Sequence, residues 1–140
     1  MSMGEMGFDP ANYDPAQFVS SSEVRLVERL VARVPGLRQS YDEHVADNDI
    51  LLPHVYFGDV TRWVVADFEE TRDRPDATSG WRDVVEFLEE EYPTSDDDAK
   101  AVIQQSFIEN LPYADEPGYG IERYLGQNLR AIYDRYRPRG

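Results

Sequence analysis

Four residues with side chains suited to chemistry lie close together near the middle of the chain. They are His54, Asp59, Arg62 and Trp63, and they offer an imidazole, a carboxylate, a guanidinium and an indole. Asp59 and Arg62 are three residues apart, a spacing that lets them form an ion pair on one face of a helix. An ion pair beside a tryptophan predicts either a clamp between helices or a cleft for a small ligand or an enzymatic reaction.

The histidines do not have the spacing of a metal site. His44 and His54 are ten residues apart, fall on different predicted helices, and belong to neither an H-x-x-x-H nor an E-x-x-H pattern. The chain has no cysteine, so thiolate ligands and cysteine nucleophiles are excluded. Motifs for phosphate binding, dinucleotide binding and serine hydrolysis are absent from the sequence as well. We therefore predict no metal, no cofactor and no enzymatic activity.

Acidic residues dominate the composition. The formal net charge of −14 argues against binding to nucleic acid or to an anionic membrane through a basic patch. Residues 79–117 hold eleven acidic and two basic residues, a net charge of −9, whereas residues 118–140 have a net charge of +3. One interpretation is a solvated surface that keeps the protein in solution. The other is a contact surface for a basic protein partner, formed by Asp83, Glu86, Glu89, Glu90, Glu91, Asp96, Asp97 and Asp98.

The hydrophobic pattern places these residues on helices. Apolar residues recur every three or four positions, no segment favours a strand, and Asn-Gly and Asp-Gly hairpin turns are absent. We therefore expect an all-α fold, either an antiparallel multi-helix bundle or a short stack of helical hairpins. Residues 1–12 are predicted to be a flexible N-terminal tail, followed by a single helical domain over residues 13–140. A short helix from Asp14 should precede six main helices, at residues 23–34, 37–47, 51–71, 81–92, 97–110 and 121–137.

Two residues do not suit the helices on which they fall. Gly58 lies inside the predicted central helix, where glycine costs about 1 kcal/mol relative to alanine, so we expect close packing or a local bend there. Glu109 lies near the C-terminal end of a helix, where a negative charge opposes the helix dipole. We therefore expect an arginine from the central or last helix to contact Glu109, and Asn110 to cap the helix.

Three motifs give the chain a resemblance to a known family. They lie at residues 52–59, 106–111 and 125–129 and read L-P-H-x-x-x-G-D, S-F-x-E-N-L and L-G-x-x-L. The chain resembles a family of small, acidic, helical bacterial proteins of unassigned function, often encoded among polymorphic-toxin and immunity loci. The resemblance covers about half of the chain and implies a helical fold, because its motif residues look suited to packing and capping.

These observations favour a non-enzymatic acidic binding protein, namely an immunity-type inhibitor that neutralises a basic toxin. One alternative is the ligand-binding or enzymatic cleft near the four central residues. Another is a homodimeric scaffold module joined through Tyr124, Tyr133 and Tyr136, so the expected state is monomer or homodimer. Residues 1–8 lack the regions of a signal peptide, and no run approaches the ~18 apolar residues of a membrane span. We therefore expect a cytoplasmic protein.

Overall fold

The computed structural model describes residues 20–74 and 80–137, and this part of the chain is helical without strands. Its α-helices are α1 (Ser21–Arg33), α2 (Arg38–Asn48), α3 (Pro53–Thr71), α4 (Gly80–Glu91), α5 (Asp97–Ala101) and α6 (Gln127–Tyr136). Other helical turns lie at Pro35–Leu37, Tyr92–Thr94 and Ile121–Tyr124, which are 3-10 helices, and at Val102–Ile108, which is a π-helix. The prediction of an all-α fold with about six helices is confirmed. The predicted tail and the short helix from Asp14 lie outside the described residues.

Helix α1 begins at a capping box. The backbone N–H of Glu23 donates to Ser20 Oγ (3.3 Å), and the N–H of Ser20 donates to Glu23 Oε1 (3.1 Å). These two bonds satisfy N–H groups that the end of a helix leaves without partners. The helix then contributes a stripe of residues to the core, which includes Leu26, Val27, Leu30 and Val31.

Helix α3 is the central element, as its apolar sequence predicts. It begins with Pro53, which is tolerated there because the first helical turn has no use for its missing N–H. It contacts α1, α2, α4 and the π-helix, so it is the element around which the others pack. Its buried side chains are Tyr56, Phe57, Val60, Thr61, Val64 and Phe68.

The helix predicted at residues 97–110 is not α-helical throughout. It is α-helical only at Asp97–Ala101 and widens into the π-helix at Val102–Ile108. At its end, the N–H of Glu109 donates to the carbonyl of Gln104, five residues earlier (3.0 Å). The wider turn spreads the buried side chains, because the π-helix buries Ile108 in addition to Val102, Ile103, Ser106 and Phe107.

The π-helix also frees one backbone carbonyl for contacts outside the helix. The N–H of Asn110 donates to Phe107 O (3.2 Å) instead of Ser106 O. The Ser106 carbonyl accepts from Thr61 Oγ1 on α3 (2.8 Å) and from Asn110 Nδ2 (3.1 Å). The widened turn is therefore tied to the central helix through a buried hydroxyl, and Asn110 caps it as predicted.

The last helix is shorter than predicted. The expected helix at residues 121–137 is interrupted at Leu125, which is extended, so that a 3-10 turn precedes it and α6 begins only at Gln127. The reason is a carboxylate from α4: Glu89 accepts from the N–H groups of Asn128 (2.8 Å) and Leu129 (3.0 Å). These bonds replace the side-chain cap that Gly126 lacks.

Gly126 makes room for this cap. A Cβ atom added to it would lie 2.5 Å from Glu89 Cδ, a distance at which one of the two would have to move. A similar bond begins α4, where the N–H of Trp81 donates to Asp67 Oδ2 on α3 (3.1 Å). Two helices of this fold therefore receive their N-terminal caps from carboxylates distant in sequence.

Candidate functional site

The acidic residues proposed as a contact surface fall into two groups in the structure. Glu89 points back into the protein, so the expectation that it faces outward with its neighbours is wrong. Asp96 caps α5, since it accepts from the N–H of Ala99 (3.0 Å) and from Ser22 Oγ (2.9 Å). The Ala99 N–H, followed by the Ser22 hydroxyl, lowers the pKa of Asp96.

Three further glutamates of α4 form ion pairs with α1. Glu91 pairs with Arg29 (2.5 Å), while Glu90 and Glu86 lie 3.2 and 3.9 Å from guanidinium nitrogens of Arg33. The hydrogen bond that Arg33 donates to Glu90, together with the negative charge of Glu90, raises the pKa of Arg33. The side chains of Glu86 and Glu90 nevertheless remain 65% and 62% exposed.

The remaining acidic residues of the predicted surface are all exposed. They are Asp83 on α4 and Asp97 and Asp98 in the first turn of α5. We define the acidic face as the exposed members of the predicted set that do not cap a helix, namely Asp83, Glu86, Glu90, Asp97 and Asp98.

The four central residues do not converge on one cavity. Asp59 and Arg62 form the predicted ion pair on the surface of α3. The ring of Trp63 packs between two glycines, where a Cβ on Gly36 would lie 3.1 Å from it and one on Gly80 would lie closer still. Trp63 is thus a clamp between helices, and glycine at both positions is what admits its ring.

His54 contacts polar side chains of two other helices, through one hydrogen bond and one longer contact with a carboxylate. Its Nδ1 lies 2.9 Å from Ser106 Oγ on the π-helix, and its Nε2 lies 3.5 Å from Glu23 Oε2 on α1. A carboxylate, an imidazole and a hydroxyl in a row invite comparison with a nucleophilic triad. Ser106 is only 7% exposed, however, and neither it nor His54 lines any of the clefts discussed below. These two contacts serve as a structural clamp.

His44 has a structural role at the start of α3. Its side chain is buried, and its Nε2 accepts a hydrogen bond from the N–H of Leu52 (3.0 Å), directly before the helix. Burial lowers the pKa of His44, because the charged imidazolium is poorly solvated there. The neutral ring is the form that can accept this bond.

A cleft of about 730 Å³ lies between α3 and the segment that follows the π-helix. Its apolar wall consists of Gly58, Val65, Ala66, Pro112 and Pro117. Its polar residues are Arg62, Glu69, Glu70, Asn110 and Glu116, with Thr61 between the two groups. We call this cavity the α3 cleft. Of the four central residues, only Arg62 lines it.

Arginines and tyrosines line a second cleft, of about 550 Å³, near the C-terminal end of the described chain. Arg137 donates to the carbonyls of Pro112 (2.9 Å) and Glu109 (3.0 Å), and Arg130 donates to the carbonyl of Glu122 (3.1 Å). The arginine expected beside Glu109 is therefore Arg137, and it binds the backbone instead of the carboxylate. These arginines hold the connecting segments in place.

A comparison with models of protein families shows to which family the chain belongs. A family model described as "Domain of unknown function (DUF7674)" matches residues 27–138. The chain belongs to this family. No curated protein and no solved structure matches it.

The match to this family covers α1 from Val27 onward and all later described helices, so it includes the α3 cleft and the acidic face. Two of the motifs that suggested a family resemblance also meet in space. His54 contacts Ser106, while Gly58 and Asn110 both line the α3 cleft. The motif residues thus join α3 to the π-helix and form part of one cavity wall.

Two absences within residues 20–74 and 80–137 bear on the earlier expectations. None of the helices there has both the length and the apolar character needed to cross a membrane. That part of the chain also contains no group of three or more histidine or acidic side chains placed to hold a metal ion.

The tyrosines proposed for a dimer interface differ in exposure, since Tyr133 is buried in the core while Tyr124 and Tyr136 are exposed.

Most residues of the α3 cleft were missed by the sequence reasoning. Val65 and Ala66 lie on the side of α3 opposite its buried stripe, where charged residues would be usual. The sequence feature that could have revealed the cleft is the presence of apolar residues on more than one side of α3. Pro112 and Pro117 were assigned to a loop, and their position against α3 depends on the folded path of that loop.

Proposed function

We propose that this member of the family is a non-enzymatic binding protein whose acidic face binds a basic protein partner, in the manner of an immunity protein that neutralises a toxin. The observation that carries the proposal is the exposure of the acidic face. Glu86 and Glu90 stay more than 60% exposed although Arg33 lies within ion-pair distance of both. Ion pairs of such exposure contribute little to stability because water screens them, so a partner's cations can replace Arg33 at small cost.

Charge supports the same proposal. The net charge of −14 generates a field that speeds the approach of a cationic protein and repels nucleic acid. A basic nuclease or similar toxin has a site made for phosphate, which a row of carboxylates can occupy. Asp83, Glu86 and Glu90 follow one another at helical spacing along α4, so they form such a row.

Some of the acidic residues are engaged by the fold, so only the others are suitable for a test of binding. Glu89 is excluded, because its carboxylate caps α6 and its replacement would disturb the fold. Asp96 is excluded for the same reason at α5. A test of binding should therefore change only carboxylates that point to solvent.

The experiment compares two triple variants for binding to a basic protein domain encoded by a neighbouring gene. The first variant carries Asp83→Lys, Glu86→Lys and Glu90→Lys. We expect its affinity to fall about 100-fold, because three attractive charges become repulsive. Calorimetric titration measures the affinity, and circular dichroism confirms that the variant is folded.

The control has the same net charge but leaves the acidic face intact. It carries lysine at three exposed acidic positions of α2, namely Asp42, Glu43 and Asp47. We expect this variant to lose less than about threefold in affinity. Equal losses in both triples would reduce the effect to overall charge, and no loss in the first would refute the proposal.

A further inference from the structure

Part of the solvent side of α3 is apolar. Val55 is 57% exposed and Ala66 is exposed as well, while Val65, on the wall of the α3 cleft, is half-buried against Gly118. A helix on the surface of a globular protein usually has charged or polar residues on this side. The apolar wall of the cleft is therefore only partly covered by the described residues.

Gly58 is the second observation. Glycine inside a helix costs about 1 kcal/mol relative to alanine, and a close internal contact is the usual reason. Here a Cβ on Gly58 would meet no atom nearer than Arg62 Nη1, at 3.7 Å. Packing within the described chain thus does not require glycine. Because Gly58 lines the α3 cleft, its missing side chain instead enlarges the cavity.

The polar groups of the cleft are mainly hydrogen-bond acceptors. Glu69, Glu70 and Glu116 bring three carboxylates to it, of which Glu69 already accepts from the Gly118 N–H (2.7 Å) and Glu116 from the Tyr113 N–H (2.7 Å). The exposed carboxylate of Glu70 is the one that remains for a ligand. Asn110 uses its amide nitrogen on the Ser106 carbonyl, which leaves its side-chain oxygen as an acceptor. The one cation of the wall, Arg62, already pairs with Asp59. A ligand that brings donors and positive charge suits this wall, whereas an anion does not.

We infer that the α3 cleft binds a small ligand with an apolar body and a cationic amine or guanidine head. The volume of about 730 Å³ lies within the roughly 300–1,000 Å³ range of small-molecule sites. The apolar body packs on Val65, Pro112 and Pro117, and the head is attracted by the glutamates. This inference goes beyond the binding of a protein partner and does not depend on it.

Three probes with the same body and different heads test the ligand class: phenylbutylamine, phenylbutanol and phenylbutyrate. Each is titrated into the full chain while the backbone amide signals are followed by NMR. We expect phenylbutylamine to shift the signals of Val65, Ala66 and Asn110 saturably. The alcohol should bind about three- to tenfold more weakly, which corresponds to the loss of one partly exposed charge interaction, and phenylbutyrate should cause no saturable shift.

Two variants test the location. Gly58→Leu fills the cavity and should weaken the binding of phenylbutylamine at least about tenfold, whereas Ala46→Leu, at an exposed position of α2, should leave it unchanged. Glu70→Lys changes an exposed residue without altering the packing and should make the cleft prefer phenylbutyrate to phenylbutylamine. This second variant decides the question if Gly58→Leu does not fold.

Several results would overturn the inference. They are the absence of saturable shifts in the cleft, equal binding of the three probes, and unchanged binding in Glu70→Lys. A further arm uses the peptide acetyl-Leu-Lys-Leu-amide. If this peptide saturates the cleft at lower concentration than phenylbutylamine, the occupant is a basic protein segment and the small-molecule assignment is wrong.

Discussion

The acidic helix α4 and the solvent side of α3 differ in how far their residues are used by the fold. On α4, a surface dense in charge is partly engaged, since Glu89 caps α6 and Glu91 pairs with Arg29. On α3, Val55 and Ala66 are exposed, and Gly58 has no close contact within the described chain that would require a glycine. A high density of acidic residues in a sequence therefore does not show how many of their carboxylates are free to bind a partner. A residue whose type has no internal explanation is the better guide to a site.

The strongest test of this comparison is Glu89→Ala. Loss of the carboxylate leaves the N–H groups of Asn128 and Leu129 without their partner, so we expect the free energy of unfolding to fall by about 2 kcal/mol. Urea unfolding measures it. The control is Glu90→Ala on the same helix, which should change stability by less than about 0.5 kcal/mol. Similar effects of both substitutions would break the distinction between engaged and available carboxylates.

Gly58→Ala tests the other side of the comparison. If no internal contact requires glycine, alanine should raise the free energy of unfolding by about 0.5–1 kcal/mol, because it restores helix propensity. The same substitution should weaken binding of phenylbutylamine. A control is Gly80→Ala, where the added Cβ would collide with the ring of Trp63 and should destabilise the protein. A destabilised Gly58→Ala protein would mean that the glycine is required by packing.

A smaller and pH-dependent effect should come from His44 at the start of α3. Burial lowers its pKa below the ordinary 6.5, so the unfolded chain binds the proton more readily than the folded one. The contribution of the neutral ring is complete above about pH 6.5 and is lost as the pH falls below that value towards the folded pKa.

The measurement is urea unfolding between pH 7.5 and 5.5 for the wild type and for His44→Gln, whose amide oxygen can still accept from Leu52. We expect the wild type to lose more stability over this range than the variant. Parallel pH profiles would show that His44 does not titrate differently in the folded and unfolded states.

The smallest expected effect on stability belongs to Glu70→Ala. Glu70 lies exposed at the rim of the α3 cleft, so its removal should change the free energy of unfolding by less than about 0.5 kcal/mol. Thermal unfolding provides the measurement. A loss as large as that from Glu89→Ala would show that Glu70 is used by the fold, as Glu69 and Glu116 are through their bonds to backbone N–H groups.

The sequence predicted the helices well where the determinants are local. The first four main helices, predicted from local apolar spacing at residues 23–34, 37–47, 51–71 and 81–92, begin and end within two residues of those bounds in the structure. The apolar spacing likewise identified the buried stripes, since side chains three or four apart share one helix face.

The features that escaped prediction depend on contacts between distant residues. The interruption before α6 follows from a carboxylate 39 and 40 residues away from the N–H groups it caps. The π-helix is tied to Thr61 on α3, a contact that no local pattern encodes. The α3 cleft likewise needs Pro112 and Pro117 to lie against α3, which only the folded path of the chain determines.

The central claim is that the protein has two separate binding surfaces, the acidic face for a basic protein and the α3 cleft for an amphipathic cation. One NMR titration tests it directly, with the basic partner added to the full chain already saturated with phenylbutylamine. We predict new shifts at Asp83, Glu86 and Glu90 while the shifts that the amine causes at Val65 and Ala66 persist. Displacement of the amine by the partner, with no change on α4, would contradict the claim.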